Sequence, residues 1–188
     1  PAQREAVVHD EGPLLVIAGA GSGKTRVLTS RIAHLIAEGA SPFEILAITF
    51  TNKAAREMKH RVGALVGPVA EKMWVSTFHA ACVRILRRDG HHLGFPSSFT
   101  IYDQADAQRL TGYVIRDLNL DPKKFPPRSV HATISSTKNE GVGVTEYAER
   151  ASMIFERKIA DVYREYQARL LKAGAMDFDD LLRNAVEL

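Results

Sequence analysis

One glycine-rich stretch near the start of the chain constrains the fold more than any other feature. Residues 18–25 read Ala-Gly-Ala-Gly-Ser-Gly-Lys-Thr, and the apolar run Leu14–Ile17 directly precedes them. Such a run is typical of a buried strand in a parallel sheet. Apolar side chains then recur at helical spacing, at positions 27, 28, 32, 35 and 36. The order of strand, glycine loop, Lys-Thr and helix predicts a P-loop, which binds phosphate, within an α/β sheet.

The residue types of this loop match the chemistry of phosphate binding. Glycines let the backbone approach an anion closely, and the turn directs successive N–H groups to one point, where the helix macrodipole adds positive potential. We expect Lys24 to reach the β- and γ-phosphates of a nucleotide and the Thr25 hydroxyl to bind Mg²⁺, which makes these two the predicted catalytic residues. The predicted nucleotide-binding residues of the loop are Ala18, Gly19, Ala20, Gly21, Ser22, Gly23, Lys24, Thr25 and Arg26.

Ala18 departs from the usual P-loop pattern, which has a glycine five residues before Gly23. The alternative is a glycine-rich turn between a strand and a helix that binds no ligand. A bare turn has no need for Gly-Lys-Thr at the start of the helix, so the sequence favours the phosphate-binding interpretation.

Composition limits the class of protein. Apolar residues make up 45% of the 188 residues, which is enough for a core in one large domain or two small lobes. The sequence has no run of about 18 apolar residues, and its first residues lack the pattern of a signal peptide. The single cysteine, Cys82, excludes an internal disulfide and fits a reducing compartment. We therefore expect a cytoplasmic protein in which Cys82 is a small core residue on a helix.

The net charge of +3 is unevenly distributed along the chain. Residues 1–95 contain 12 Lys or Arg against 8 Asp or Glu, together with 6 of the 7 histidines. Residues 96–188 contain 13 basic against 14 acidic residues. The basic excess favours a polyanionic partner for the first half, although a solvated surface of mixed charge explains the same numbers.

The first half of the sequence contains three units of a strand followed by a helix. The P-loop unit comes first, and its helix is predicted to end near Gly39. The next two units pair predicted strands at 45–50 and 73–76 with predicted helices at 52–66 and 77–93. Alternating strands and helices predict a parallel sheet covered by helices, with right-handed crossovers.

The second half, beyond residue 95, shows mostly helical patterns. Predicted helices span about 103–118, 128–138 and 144–172, and Asp103 with Asp106 has the spacing of a helix cap. We therefore predict two domains. Residues 1–95 form the first part of a P-loop α/β domain, and residues 96–188 form an all-helical domain.

Polar and aromatic residues follow the second and third predicted strands. Residues 48–55 read Ile-Thr-Phe-Thr-Asn-Lys-Ala-Ala, and residues 75–80 read Val-Ser-Thr-Phe-His-Ala. Open α/β sheets bind ligands at the carboxyl ends of their strands, and an aromatic ring beside cationic groups suits a stacked base and its phosphate. Taken singly, each stretch also has an ordinary structural explanation. Phe50 is then a core residue, Thr77 or Ser76 a helix cap, and His79 a buried histidine.

Together these stretches resemble the UvrD/Rep/PcrA family of superfamily 1 DNA helicases. Alanine in the first position of the P-loop is the usual variant in that family, so Ala18 supports the resemblance. Residues 1–7 are similar to the family segment ahead of the P-loop, which implies that Gln3 reads adenine. Residues 49–55 are similar to motif Ia and residues 77–79 to motif Ib, which implies contacts with single-stranded DNA. The implied DNA-binding residues are Phe50, Thr51, Asn52, Lys53, Thr77, Phe78 and His79.

The resemblance also implies a fold, cofactors and an activity. The first half corresponds to the start of a RecA-like domain (1A), the second half to the inserted helical subdomain 1B, and residues 176–182 to the segment that closes the insertion. The implied cofactors are ATP and Mg²⁺, and the implied partners are single-stranded DNA and its junctions with duplex DNA. The implied activity is ATP-driven movement along DNA in the 3′ to 5′ direction, in repair or replication.

Asp177, Asp179 and Asp180 have the composition of a Walker B motif, but we interpret Asp177 and Asp180 as a helix cap. No apolar strand is predicted to run into them, and the apolar residues after them recur at helical spacing. In the family, the Walker B acids, the arginine finger and the second RecA-like domain come later in the chain. We therefore expect the remaining helicase domains of the same chain as partners, and we expect residues 1–188 alone to bind nucleotide without efficient hydrolysis.

Two other functions remain open at the level of the sequence. A small P-loop kinase of nucleotides has a suitable length, but it requires acceptor-binding and lid arginines, and the two DNA-like stretches would then be coincidental. A non-enzymatic module whose nucleic-acid binding is controlled by nucleotide fits the same motifs. The effect of single-stranded DNA, or of a nucleoside monophosphate, on ATP affinity distinguishes these functions.

Overall fold

The computed structural model describes residues 2–188, and the chain divides into two compact units. The first unit extends to Ala81, and the second covers Cys82–Leu188. The sequence predicts a domain boundary between residues 95 and 96. That boundary concerns the domains of a longer protein, and it stays a prediction. No helix within residues 2–188 is both long enough and apolar enough to cross a membrane.

The first unit alternates helices with short strands. Two 3-10 turns, Pro42–Glu44 and Gly67–Lys72, precede its strands. Both strands lie within one residue of a predicted strand, and the helix predicted at 52–66 is confirmed. The elements are α1 (Ala2–Val8), α2 (Lys24–Ala37), β1 (Leu46–Thr49), α3 (Asn52–Val66), β2 (Trp74–Thr77) and the start of α4 (Phe78–Asp89).

The strands β1 and β2 form a parallel pair in which Thr49 lies opposite Thr77. A helix begins after each strand, and a threonine hydroxyl caps it. The Thr51 hydroxyl accepts a hydrogen bond from the Ala54 N–H at 3.1 Å, and the Thr77 hydroxyl accepts one from the Ala80 N–H at 3.3 Å. Because the strands are parallel, both helices begin at the same edge of the sheet. The buried core of this unit comprises Ile32, Ala47, Met58, Val62, Ala70 and Met73.

The apolar run Leu14–Ile17 is not a strand, so this sequence prediction is wrong. Leu15 is 82% exposed and Ile17 is 89% exposed. A strand needs neighbours for its backbone N–H and C=O groups, and in the described residues β1 and β2 pair only with each other. The sheet of the first unit is therefore smaller than predicted, with two strands in the described residues.

The second unit is mainly helical. Its core includes Val114, Ile134, Tyr163, Tyr166 and Leu170, none of them more than 1% exposed. A half-buried Cys82 on α4 packs beside a smaller cluster around Leu86, and burial raises the pKa of its thiol. After α4, the elements are a 3-10 turn (Gly90–Leu93), β3 (Thr100–Tyr102), α5 (Gln104–Asp117), α6 (Pro127–Asn139), α7 (Val144–Arg150), α8 (Ile154–Lys172), β4 (Ala175–Asp177) and α9 (Phe178–Glu187).

The second unit is not all-helical, contrary to the prediction. The strands β3 and β4 form a parallel pair in which Thr100 lies opposite Ala175 and Tyr102 opposite Asp177. Each strand contains three residues, which is too short for an alternating pattern to be recognised in the sequence. The predicted cap of α5 is confirmed, because Asp103 and Asp106 each accept a hydrogen bond from the backbone N–H of the other.

The single long helix predicted at 144–172 is instead two helices, α7 and α8. The Glu156 carboxylate accepts hydrogen bonds from the N–H groups of Ser152 at 2.9 Å and Met153 at 3.0 Å. Met153 has an extended backbone, so α8 starts from a capped end rather than continuing α7. The sequence gives no glycine or proline at this break, which explains why periodicity alone missed it.

Candidate functional site

The P-loop has the backbone geometry of an open anion-binding turn. Gly21 has φ of 74° and Gly23 has φ of 86°, which is the left-handed region that favours glycine. The Ser22 hydroxyl donates a hydrogen bond to the Gly19 carbonyl at 2.7 Å and thereby closes the turn. No side chain caps the start of α2 at Gly23. The first N–H groups of α2 thus lie at an exposed loop without a side-chain acceptor, as phosphate binding requires.

The Lys24 side chain folds back over the loop that precedes it. Its ammonium donates hydrogen bonds to the carbonyl oxygens of Ala18 at 2.7 Å and Gly19 at 2.6 Å. Lys24 is exposed, so these contacts compete with water and are open to exchange. A triphosphate in the loop would offer the Lys24 ammonium charged oxygens in place of neutral carbonyls. Hydrogen bonds between charged groups are stronger than those to neutral groups, so the ammonium would exchange the carbonyls for phosphate.

Thr25 lies exposed in the first turn of α2, next to Lys24. The donor chemistry at this position fits Mg²⁺, because the ion prefers oxygen ligands and takes few of them from protein. In residues 2–188, no group of three or more His, Cys, Asp or Glu side chains is placed to hold a metal ion. The Thr25 hydroxyl can thus supply one ligand, and the other ligands of the ion would be phosphate oxygens, water or groups outside the first unit.

Gln3, on α1, contacts the P-loop directly. Its side-chain amide donates a hydrogen bond to the Ser22 carbonyl at 2.8 Å. A Cβ atom added at Gly23 would lie 3.1 Å from the same amide nitrogen, so the Gln3 side chain would have to shift slightly to admit it. Arg26 is exposed in the first turn of α2. The structure therefore places both predicted side chains beside the loop.

The two aromatic motifs of the sequence meet on one surface. Phe50 follows β1 and is 87% exposed, whereas Phe78 follows β2 and is 43% exposed. Their ring centroids lie 5.4 Å apart with an interplanar angle of 47°. The core interpretation of Phe50 is wrong, because a core residue does not leave most of its ring in water.

The polar residues of the two motifs lie in the first turns of α3 and α4. Thr51, Asn52 and Lys53 are exposed, as is His79, so the buried-histidine interpretation is wrong. Thr77 is only 9% exposed, and its hydroxyl caps α4, as the structural alternative predicts. Two helix N-termini, one lysine and two aromatic rings thus share one edge of the sheet, which is a favourable environment for phosphate and bases.

Asp177 and Asp180 form a helix cap at the start of α9, as predicted. Asp177 is also the last residue of β4, so the expectation that no strand runs into these acids is wrong. Asp177 accepts a hydrogen bond from the Asp180 N–H at 2.8 Å. Their partner is Lys138, which carries no signal in the sequence and whose side chain is completely buried. Its ammonium lies 2.7 Å from Asp177 and 2.8 Å from Asp180.

Hydrogen bonds from Tyr166 to Asp177 and from Gln167 to Asp180 complete this cluster, at 2.7 and 2.9 Å. Burial raises the pKa of Asp180 to about 6. Burial acts in the same direction on Asp177, but the Lys138 charge outweighs it and holds the pKa of that carboxyl below its usual value. Asp177 and Asp180 are therefore engaged in contacts within the second unit.

Comparison with known proteins decides the family. The whole chain, residues 1–188, matches the family model described as the UvrD/REP helicase N-terminal domain. The chain belongs to the UvrD/REP helicase family. Three similar proteins are all named ATP-dependent DNA helicase PcrA. They come from Bacillus subtilis strain 168 (53% identical over 189 residues), Leuconostoc citreum (52% over 188 residues) and Staphylococcus aureus strain Mu50 (51% over 187 residues).

These matches cover 99–100% of the chain but only 25–26% of each relative. The chain therefore spans about a quarter of the length of these helicases. Membership of the UvrD/REP family confirms the resemblance seen in the sequence. The roles of individual residues in the P-loop and at the strand ends stay predictions.

Proposed function

We propose that this chain is the N-terminal ATP-binding part of an ATP-dependent DNA helicase or translocase that acts on single-stranded DNA. The geometry of the P-loop carries this proposal: left-handed glycines expose the uncapped start of α2, and Lys24 lies over the loop. Nucleotide is the ligand that such a loop accommodates. The name of the similar proteins, ATP-dependent DNA helicase, supports ATP as the nucleotide and DNA as the substrate.

In this proposal, the loop residues 18–26 bind the phosphates, Lys24 neutralises charge on them, and Thr25 binds the Mg²⁺ that accompanies ATP. The contact of Gln3 with Ser22 supports a role for Gln3 in reading adenine, because it places the amide at the loop. Positioning and charge stabilisation supply most of the catalysis of phosphoryl transfer. Lys24 and Thr25 therefore count as catalytic residues of the whole enzyme.

The DNA site in this proposal is the edge of the sheet that presents Phe50 and Phe78. Exposed rings stack on bases whatever the sequence, and the exposed Lys53 suits a backbone phosphate. Thr51, Asn52, Thr77 and His79 complete the proposed contact residues. Movement in the 3′ to 5′ direction, action at junctions with duplex DNA, a role in repair or replication, and a cytoplasmic location rest on family membership alone.

The remaining domains of the longer protein are proposed partners of this chain. The acids Asp177, Asp179 and Asp180 do not suit catalysis, since Lys138, Asn139 and backbone N–H groups engage them within the second unit. The exposed apolar run Leu14–Ile17 leaves apolar surface for a further domain to cover. Residues 1–95 would then belong to domain 1A and residues 96–188 to subdomain 1B. By itself, the chain would bind ATP without efficient hydrolysis.

The test is nucleotide binding by the chain and by its Lys24→Ala variant, measured by calorimetry together with the melting temperature. We expect Lys24→Ala to lose binding and to keep its melting temperature, because the side chain is exposed. Lys72→Ala, which removes another exposed lysine from the first unit, is the matched control and should bind as the parent does. Unchanged affinity in Lys24→Ala would remove Lys24 from the site.

Family membership does not support the alternative of a nucleotide kinase. The other alternative, a DNA-binding module controlled by nucleotide, is compatible with the proposal, because it is what the chain would be in the absence of the remaining helicase domains. Single-stranded DNA should raise or lower the ATP affinity of the chain, and a nucleoside monophosphate should not. An effect of the monophosphate alone would favour the kinase.

A further inference from the structure

Helix α1, which carries Gln3, is short and packs against α2. It contains seven residues, of which Ala6 is the buried one. A helix this short is unstable in isolation, so its place beside α2 depends on tertiary contacts. The buried Ala6 and the half-buried Val7 are small side chains, so polar contacts also contribute to the position of α1.

One such contact is made by Arg31, a half-buried residue of α2. A single guanidinium nitrogen, Nη1, donates hydrogen bonds to the carbonyl oxygens of Ala6 and Val7, both at 3.3 Å, and to that of His9. The carbonyls of Ala6 and Val7 belong to the last turn of α1, where a helix has no internal donors left for them, and His9 directly follows the helix. A cation at this end also complements the helix macrodipole.

The other end of α1 lies against the P-loop through the hydrogen bond from Gln3 to Ser22. Arg31 and the P-loop lysine, Lys24, belong to the same helix, so α2 contacts one end of α1 and the loop at its start contacts the other. A short helix held at both ends transmits a shift at one end to the other.

We propose that Arg31 is a positioning residue that holds Gln3 against the P-loop and thereby sets the preference of the site for adenine nucleotides. This inference rests on the proposed function, in which the loop binds nucleotide and Gln3 reads the base. Arg31 itself touches the backbone of α1 and of His9, not the nucleotide.

The test compares ATP and GTP affinities of the parent chain with those of Arg31→Ala, Arg31→Lys and Gln3→Ala. Arg31→Ala should reduce the ATP-over-GTP preference about tenfold, which corresponds to about 1.4 kcal/mol, the size of one hydrogen bond. Arg31→Lys keeps a cation near the helix end and should restore part of the preference. Arg61→Ala removes a guanidinium from an exposed ion pair with Glu57 and should leave the preference unchanged.

The double variant Gln3→Ala/Arg31→Ala shows whether Arg31 acts through Gln3. If it does, Arg31→Ala adds no further loss of preference to Gln3→Ala. A further loss in the double variant, or an unchanged ATP-over-GTP ratio in a folded Arg31→Ala chain, would overturn the inference and leave Arg31 a merely structural residue.

Amide hydrogen exchange of residues 2–8 separates this inference from the proposed function. Exchange in this segment should become faster in Arg31→Ala than in Arg61→Ala, with or without nucleotide. If the parent chain binds neither ATP nor GTP, the proposed function fails, and the exchange data still decide whether Arg31 positions α1. Unchanged exchange in Arg31→Ala would refute the positioning role directly.

Discussion

Replacing Phe50 with alanine isolates the contribution of base stacking to DNA binding. The Phe50 ring is 87% exposed and touches the ring of Phe78, with centroids 5.4 Å apart. Because so little of the ring is buried, its removal should change the free energy of unfolding by less than about 0.5 kcal/mol. Loss of one stacked base should cost about 1–3 kcal/mol of binding free energy, which is about 5-fold to 160-fold in Kd.

Phe43→Ala is the matched control for this change. Phe43 is also exposed, at 65%, and it lies in the 3-10 turn that precedes β1, so it is at the other end of the strand from Phe50. The assay is fluorescence anisotropy of a labelled single-stranded oligonucleotide, titrated at several salt concentrations. Phe50→Ala should weaken binding at every concentration without changing the salt dependence, whereas Phe43→Ala should bind as the parent chain does.

Lys53→Ala distinguishes charge from stacking in the same assay. Loss of one phosphate contact should reduce the slope of log K against log salt by about 0.7 for a single strand.

Equal losses of affinity in Phe43→Ala and Phe50→Ala would show a non-specific effect of apolar surface. Unchanged affinity in Phe50→Ala would refute the assignment of this ring to the DNA site, and unfolding of that variant would contradict its exposed position.

Three further predictions concern the buried cluster and the activity of the chain. Lys138→Met should lower the free energy of unfolding by about 3–5 kcal/mol in urea titrations at neutral pH, because it leaves two buried carboxylates unpaired. Asp180 has a pKa of about 6 against a usual 3.8, so its stabilising contribution is complete below pH 3.8 and is lost as the pH rises through 6. Asp180→Asn should remove that decline from urea titrations between pH 4 and 7, and an unchanged pH profile would contradict the raised pKa. The chain should show no efficient ATPase activity in the presence of single-stranded DNA. Robust ATP turnover by the parent chain that disappears in Lys24→Ala would contradict the proposal that other domains supply the missing catalytic groups.

Local features of the fold could be predicted from the sequence where short-range interactions decide them. The helix at 52–66 was predicted at its observed bounds, because Thr51 supplies a cap and the apolar residues keep a helical period. Asp103 and Asp106 form the predicted cap of α5, because each carboxylate lies close enough along the chain to accept a hydrogen bond from the backbone N–H of the other. In both cases, the residues that form the cap lie within one turn of the helix start.

The features that the sequence does not predict depend on contacts between residues that are distant in the chain. The run Leu14–Ile17 has the composition of a buried strand, but composition does not supply the neighbouring strands that it needs. Lys138 pairs with acids at the start of α9, and Arg31 with the end of α1, through contacts that no periodicity indicates. Neither residue carries a sequence signal, since buried and exposed basic residues are identical in a single sequence.

The pairing register of two short strands explains why separate motifs form one surface. Thr49 lies opposite Thr77, and these two residues end their strands, so Phe50 and Phe78 directly follow them. A shift of one residue in this register would displace the ends of the strands, and with them the two rings, by about 3.3 Å relative to each other. Ala47, which is 5% exposed and lies opposite Val75, belongs to the core that opposes such a shift. Residues that never touch DNA in the proposed function therefore determine whether the two rings can bind it together.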